Sequence, residues 1–79
     1  MEFYVQIQTR NLEKARDITQ WLMSHVGPVI KSTHGTIVRG EGWIMWVAVE
    51  PNLDMIVNFE LNNEHVDEHT VTLFLLKWS

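Results

Sequence analysis

The chain predicts a small α+β domain. It should have an antiparallel sheet of about four strands with one main helix on one face, in the order β-α-β-β-β followed by a short C-terminal helix or strand. Phe3-Tyr4-Val5-Gln6-Ile7-Gln8 alternates apolar and polar, as a half-buried strand does. From Leu12 to about His25 the apolar residues Ala15, Ile18 and Leu22 recur at helical spacing and lead on to Val26, with Glu13, Lys14, Asp17 and Gln20 outside. Two strongly β-type runs, 43–50 and 54–61, flank Pro51-Asn52 and predict a hairpin.

In the first strand Phe3, Val5 and Ile7 should face inward and Tyr4, Gln6 and Gln8 outward. Asn11, or Thr9 one turn earlier, offers an N-cap for the helix. Gly27-Pro28 stops it, with Gly27 as the expected cap residue. Residues 29–39 read as one strand or a broken pair bent at His34-Gly35, and Lys31, Ser32, Thr33 and Thr36 mark an exposed or edge position. Gly40-Glu41-Gly42 is a turn, so Val38 and Trp43 should flank a second hairpin. After Asn62-Asn63 the pattern is ambiguous. Val71, Phe74, Leu75 and Trp78 fit a helical stripe capped by Asp67, while Thr70, Thr72, Phe74, Leu76 and Trp78 fit a strand face. No linker or repeat divides residues 1–79, which form a single expected domain.

The run Gly42-Trp43-Ile44-Met45-Trp46-Val47-Ala48-Val49 is apolar on both faces. Trp43, Met45, Val47 and Val49 point one way; Ile44, Trp46 and Ala48 point the other. Its neighbour differs, for Met55, Val57, Phe59 and Leu61 share one face, and Asp54, Asn58 and Glu60 share the other with Ile56 alone. A sheet with one wet face thus contains a strand suited to burial on both sides. A contiguous apolar patch rich in Trp and Tyr marks an interaction site. The expected partner-binding set is Tyr4, Trp43, Ile44, Trp46, Ala48 and Ile56, with the outward face of the 43–49 strand left open by the pattern. The alternative is that the C-terminal element covers this face with Phe74, Leu76 and Trp78.

Composition narrows the classes. The chain has 79 residues, 46% of them hydrophobic, with four Trp and no Cys. A core is affordable, but disulfides, thiolate metal sites and thiol nucleophiles are excluded. Small unstapled domains gain stability by associating, so a homo-oligomer, most simply a homodimer, is expected. The net charge is −4, and Arg10, Lys14, Arg16, Lys31, Arg39 and Lys77 are scattered. No basic stripe exists for phosphate neutralisation, and nucleic-acid binding is not expected. The N-terminal MEFYVQIQT has no continuous apolar run and no segment reaches membrane-spanning length, so no membrane association and a cytoplasmic location are expected.

His65-Val66-Asp67-Glu68-His69 carries the His-x-x-Glu-His spacing of inverted zinc peptidases, in which two His on one helix face bind zinc and Glu acts as base. A helix presenting both His would have to begin inside the preceding strand, and a third ligand lacks an obvious source. His65 and His69 are therefore only weak metal candidates, and a solvated acidic turn before a helix explains the segment. His25 and His34 read as an ordinary helix-end residue and a turn residue. Gly35, Gly40 and Gly42 lack the spacing and the following Lys-Ser/Thr of a phosphate loop. Ser24, Ser32 and Ser79 have no nucleophile context, and Glu50 and Asp54 flank a turn. No catalytic residue and no cofactor are expected.

Residues Asp67 to Trp78, preceded by a strand ending Phe59-Glu60, resemble the C-terminus of small uncharacterised proteins of T4-like tailed phages, where an acidic segment precedes a compact Phe-x-Leu-x-basic-Trp terminus. Thr70 and Val71 depart from that pattern, which has a small helix former there. The resemblance implies a phage origin, a host-cytoplasmic location, an α+β fold and a helical ending; it transfers no activity. The function expected is a non-enzymatic protein-interaction module that binds itself or a host protein through an aromatic sheet face. The alternative is a small-ligand or nucleotide-binding module using the same face; metal-dependent hydrolysis comes third.

Overall fold

A computed structural model of the chain describes residues 4–62 and 66–79, Tyr4 by its backbone alone. The elements follow as β1 (Tyr4–Thr9), α1 (Leu12–His25), β2 (Val29–Thr33), β3 (Ile37–Gly40), β4 (Trp43–Val49), β5 (Met55–Asn62) and α2 (Glu68–Trp78). The five strands form one antiparallel sheet in the order β1-β5-β4-β3-β2. The fold is α+β and broadly follows the expected order; the sheet has five strands rather than about four because 29–39 forms a pair of strands bent at His34-Gly35, and the C-terminal element is a helix. Strands β2 to β5 form a meander of hairpins, and α1 carries the chain from β1 at one edge to β2 at the other.

Local chemistry places each boundary. Asn11 caps α1, its side-chain oxygen accepting from the Glu13 and Lys14 amides at 3.0 and 3.1 Å. Thr9 lies upstream and receives the Asn11 amide on its hydroxyl at 3.1 Å. At the other end the cap residue is Val26 rather than Gly27, whose backbone is not left-handed. Glycine is required at 27 by contact instead, since an added Cβ would lie 2.5 Å from the Glu41 carbonyl oxygen. The β2–β3 turn places His34 and Gly35 at φ 51° and 71°, with the Thr36 amide donating to the Thr33 carbonyl at 3.0 Å. Two consecutive left-handed residues suit the twist of a tight hairpin.

The β4–β5 turn contains a local conflict. Leu53 is held at φ 68° and is 83% exposed, so a branched side chain adopts a disfavoured conformation with no packing in return. Leu53→Asn should stabilise the domain by about 0.5–1 kcal/mol, because Asn tolerates this region without glycine's added chain entropy. A thermal melt should show the midpoint rising by a few degrees; no rise, or a fall, would count against strain at this turn.

Both helices pack on the same face of the sheet. Ala15, Ile18 and Leu22 of α1 and Val71 and Phe74 of α2 join Ile7, Trp43, Val57, Phe59 and Leu61 in one core, and Ile18, Leu22, Phe59, Leu61 and Phe74 are fully buried. The helices meet through Trp21 and Phe74, whose rings lie 5.9 Å apart, and Trp21 also stacks on His25 at 4.7 Å. The expected inward positions Val5 and Ile7 of β1 are in or against this core, while Phe3 lies outside the described residues.

Asp67 caps α2, accepting from the Thr70 amide at 2.9 Å. Bonds from the Thr70 hydroxyl and amide hold its carboxyl below the ordinary aspartate range, with a smaller contribution from His69. A depressed folded-state pKa contributes stability above the unfolded value and loses it as pH falls through the folded one. Helix α2 should therefore loosen as pH falls from about 5 to 3, and Asp67→Asn, which keeps the acceptor, should flatten that dependence. Far-ultraviolet circular dichroism across this range checks it; an unchanged slope in Asp67→Asn would remove Asp67 as the cause.

Candidate protein-interaction face

The pairing register decides which side of each strand faces the helices. Trp43, Met45 and Val47 pair with Leu61, Phe59 and Val57, and all six belong to the core or pack against it. Ile44, Trp46 and Ala48 pair with Glu60, Asn58 and Ile56 and share the opposite face. Strand β3 adds Ile37 beside Trp46 and Arg39 beside Ile44, and β2 adds Lys31 and Thr33. Strand β1 adds Gln6 beside Glu60 and Gln8 beside Asn58, and Tyr4 occupies the register position opposite Asn62.

Among the described residues no helix covers this second face. Ile44, Trp46 and Ile56 are half-buried, Ala48 is exposed, and Ile37 is 46% exposed. Of the expected set, the structure brings together Ile44, Trp46, Ala48 and Ile56. Trp43 is not among them. It is 3% exposed in the core, and its indole Nε1 donates to the Gly27 carbonyl at 2.9 Å, fastening the end of α1 to the sheet. Nor do Phe74, Leu76 and Trp78 cover this face. Phe74 is buried under α1, Trp78 packs at the edge of the same core, and Leu76 is 77% exposed.

A polar network stiffens the open face. Asn58 is 3% exposed, and its side-chain oxygen accepts from the Gln8 amide at 2.7 Å and the Gln6 amide at 3.3 Å. Its amide nitrogen reaches the Trp46 and Ile56 carbonyls at 3.5 Å. A buried polar group so satisfied fixes the strand positions around it. Trp46 therefore sits on a rigid, hydrogen-bonded platform, and a preorganised anchor loses little entropy on binding.

At one end of this face Ile30, Arg39, Trp43, Ile44 and Glu60 line a cleft of about 480 Å³. The alternation of 29–39 is too blurred to reveal Ile37 and Arg39 as part of the site, although their two-residue spacing is the signal that places them together. Of the metal candidates, His69 is exposed in the first turn of α2 and His65 lies outside the described residues. Among the described residues no three His, Asp or Glu side chains gather. Among them, too, no helix is long and apolar enough to cross a membrane.

Comparison with protein-family models, with curated proteins and with solved structures finds no match to this chain.

Proposed function

We propose that the chain is a non-enzymatic protein-interaction module that binds itself or another protein through the helix-free face of its sheet. One observation carries the reading: both helices pack on one face, and the other presents Trp46 among Ile37, Ile44, Ala48 and Ile56. Half-buried and exposed apolar residues clustered around a tryptophan, rimmed by Gln6, Gln8, Lys31, Arg39 and Glu60, have the apolar centre and polar rim of an interface. The phage origin implied by the C-terminal resemblance would make a second copy or a host protein in the host cytoplasm the natural partner.

The test is site-specific photocrosslinking in the producing cell, with a photoreactive residue at position 46 and, as a control, at position 20 on the outer face of α1. Adducts from 46 and none from 20 support the reading. No adduct from 46, or equal adducts from both, overturns it. A second reading rests on the cleft beside Arg39 and Glu60, which has the volume of a small-ligand site. A nucleotide or other small ligand held there should raise the melting temperature in proportion to its concentration over Kd.

A further inference from the structure

We propose that the occupant of the open face is a second copy of this chain, related by a two-fold axis running along β4; this rests on the interaction reading above. The register divides the face into two unlike halves. Along β4 runs an apolar line, Ile44, Trp46 and Ala48. On the β3 and β2 side stand the cations Arg39 and Lys31. On the β5 and β1 side stand the anion Glu60 and the amides of Asn58, Gln6 and Gln8. Among the described residues the only ion pair is Arg10–Glu50, so neither Arg39 nor Glu60 is ion-paired to another of them.

Arg39, Ile44 and Glu60 lie in one row across the sheet, and Ile37, Trp46 and Asn58 lie in the next. An axis parallel to β4 keeps each residue's position along the strand and exchanges the two flanks. Ile44 then meets Ile44 of the second copy, and Trp46 meets its own counterpart. Arg39 faces Glu60 of the second copy, twice per dimer, and Lys31 faces Gln6. An axis across the strands would instead keep each flank on itself and set Glu60 against Ile56, leaving both charges unpaired. Charge complementarity therefore selects the first arrangement.

The geometry is one that sheets adopt. Face-packed sheets lie about 10 Å apart with strands within roughly 30° of each other, a gap that an Arg and a Glu side chain bridge together. Such packing is isologous, with one patch meeting itself. The exposed leucines of α2, Leu73 and Leu76, offer no comparable pairing of opposite charges and serve as the control surface.

The experiment is sedimentation velocity on the full chain across micromolar concentrations, with circular dichroism confirming that each variant is folded. The wild type should dimerise. Arg39→Glu and Glu60→Arg each create two like-charge contacts per dimer, and each should weaken the dimer by about a hundredfold. An equimolar mixture of the two should recover a dimer of near wild-type affinity, because each variant supplies the charge that the other lacks. Leu76→Asp should have no effect. A wild-type dimer unaffected by either charge variant, or a mixture that stays monomeric, overturns the proposal. So does a dimer that Leu76→Asp dissociates. A strictly monomeric wild type overturns it too. In that last case photocrosslinking at position 46 to a different protein keeps the interaction reading, and its absence ends both.

Discussion

Trp43→Ala should leave the domain largely unfolded at 37 °C. Trp43 is 3% exposed and packs within the core formed by both helices and the sheet. Truncating a buried aromatic to Ala costs about 3–5 kcal/mol, and loss of the Nε1–Gly27 hydrogen bond adds about 1 kcal/mol. A domain of this length has roughly 4–12 kcal/mol in total, so most of its stability is removed. Gly40→Ala should act through the same residue. A Cβ at position 40 would lie 2.0–2.5 Å from the Trp43 indole, inside any tolerable contact. The ring must move and release the Gly27 carbonyl, at a cost of about 3 kcal/mol. Urea melts check both. If the damage of Gly40→Ala runs through the indole, combining it with Trp43→Leu should be clearly less than additive.

Trp46→Asp should do the opposite, removing association while the fold persists. Trp46 lies on the helix-free face, where its neighbours are Ile37 and Asn58 within the sheet. An unpaired carboxylate at that centre would be desolvated on binding, and loss of a tryptophan anchor alone weakens an interface by about 2–4 kcal/mol. In a two-fold dimer the substitution occurs twice at the axis, so a loss of about a thousandfold or more in affinity is expected. The monomer should lose only about 1 kcal/mol, the scale of strand preference at a half-exposed site. Sedimentation reads the first effect, and urea melts at concentrations below dimerisation read the second. Unfolding of Trp46→Asp comparable to that of Trp43→Ala would show that Trp46 supports the fold rather than an interface.

How much of this is legible beforehand differs from element to element. Helix α1 is readable because Ala15, Ile18 and Leu22 repeat with its own period and Asn11 caps it locally. Strand β5 is readable because the apolar Val57, Phe59 and Leu61 alternate with the polar Asn58 and Glu60. The segment 68–78 is not, because its residues satisfy a helical stripe and a strand face together. The Asp67 cap and the docking of Val71 and Phe74 beside α1 decide for the helix. The role of Gly27 is also hidden, because it comes from Glu41 across the fold rather than from the helix it ends.

The sequence by itself determined that Trp43 and Trp46 point to opposite sides of one strand, since alternation is a local property of extended backbone. Which tryptophan is buried was decided only by the tertiary structure. The pairing of Trp43 with Leu61, the absence of a side chain at Gly40 and the Gly27 carbonyl make one side a closed core. The packing of α2 beside α1 then leaves Trp46 without a covering element among the described residues. These contacts join residues far apart in the chain, and no local pattern of hydrophobicity records which of two apolar faces they will close.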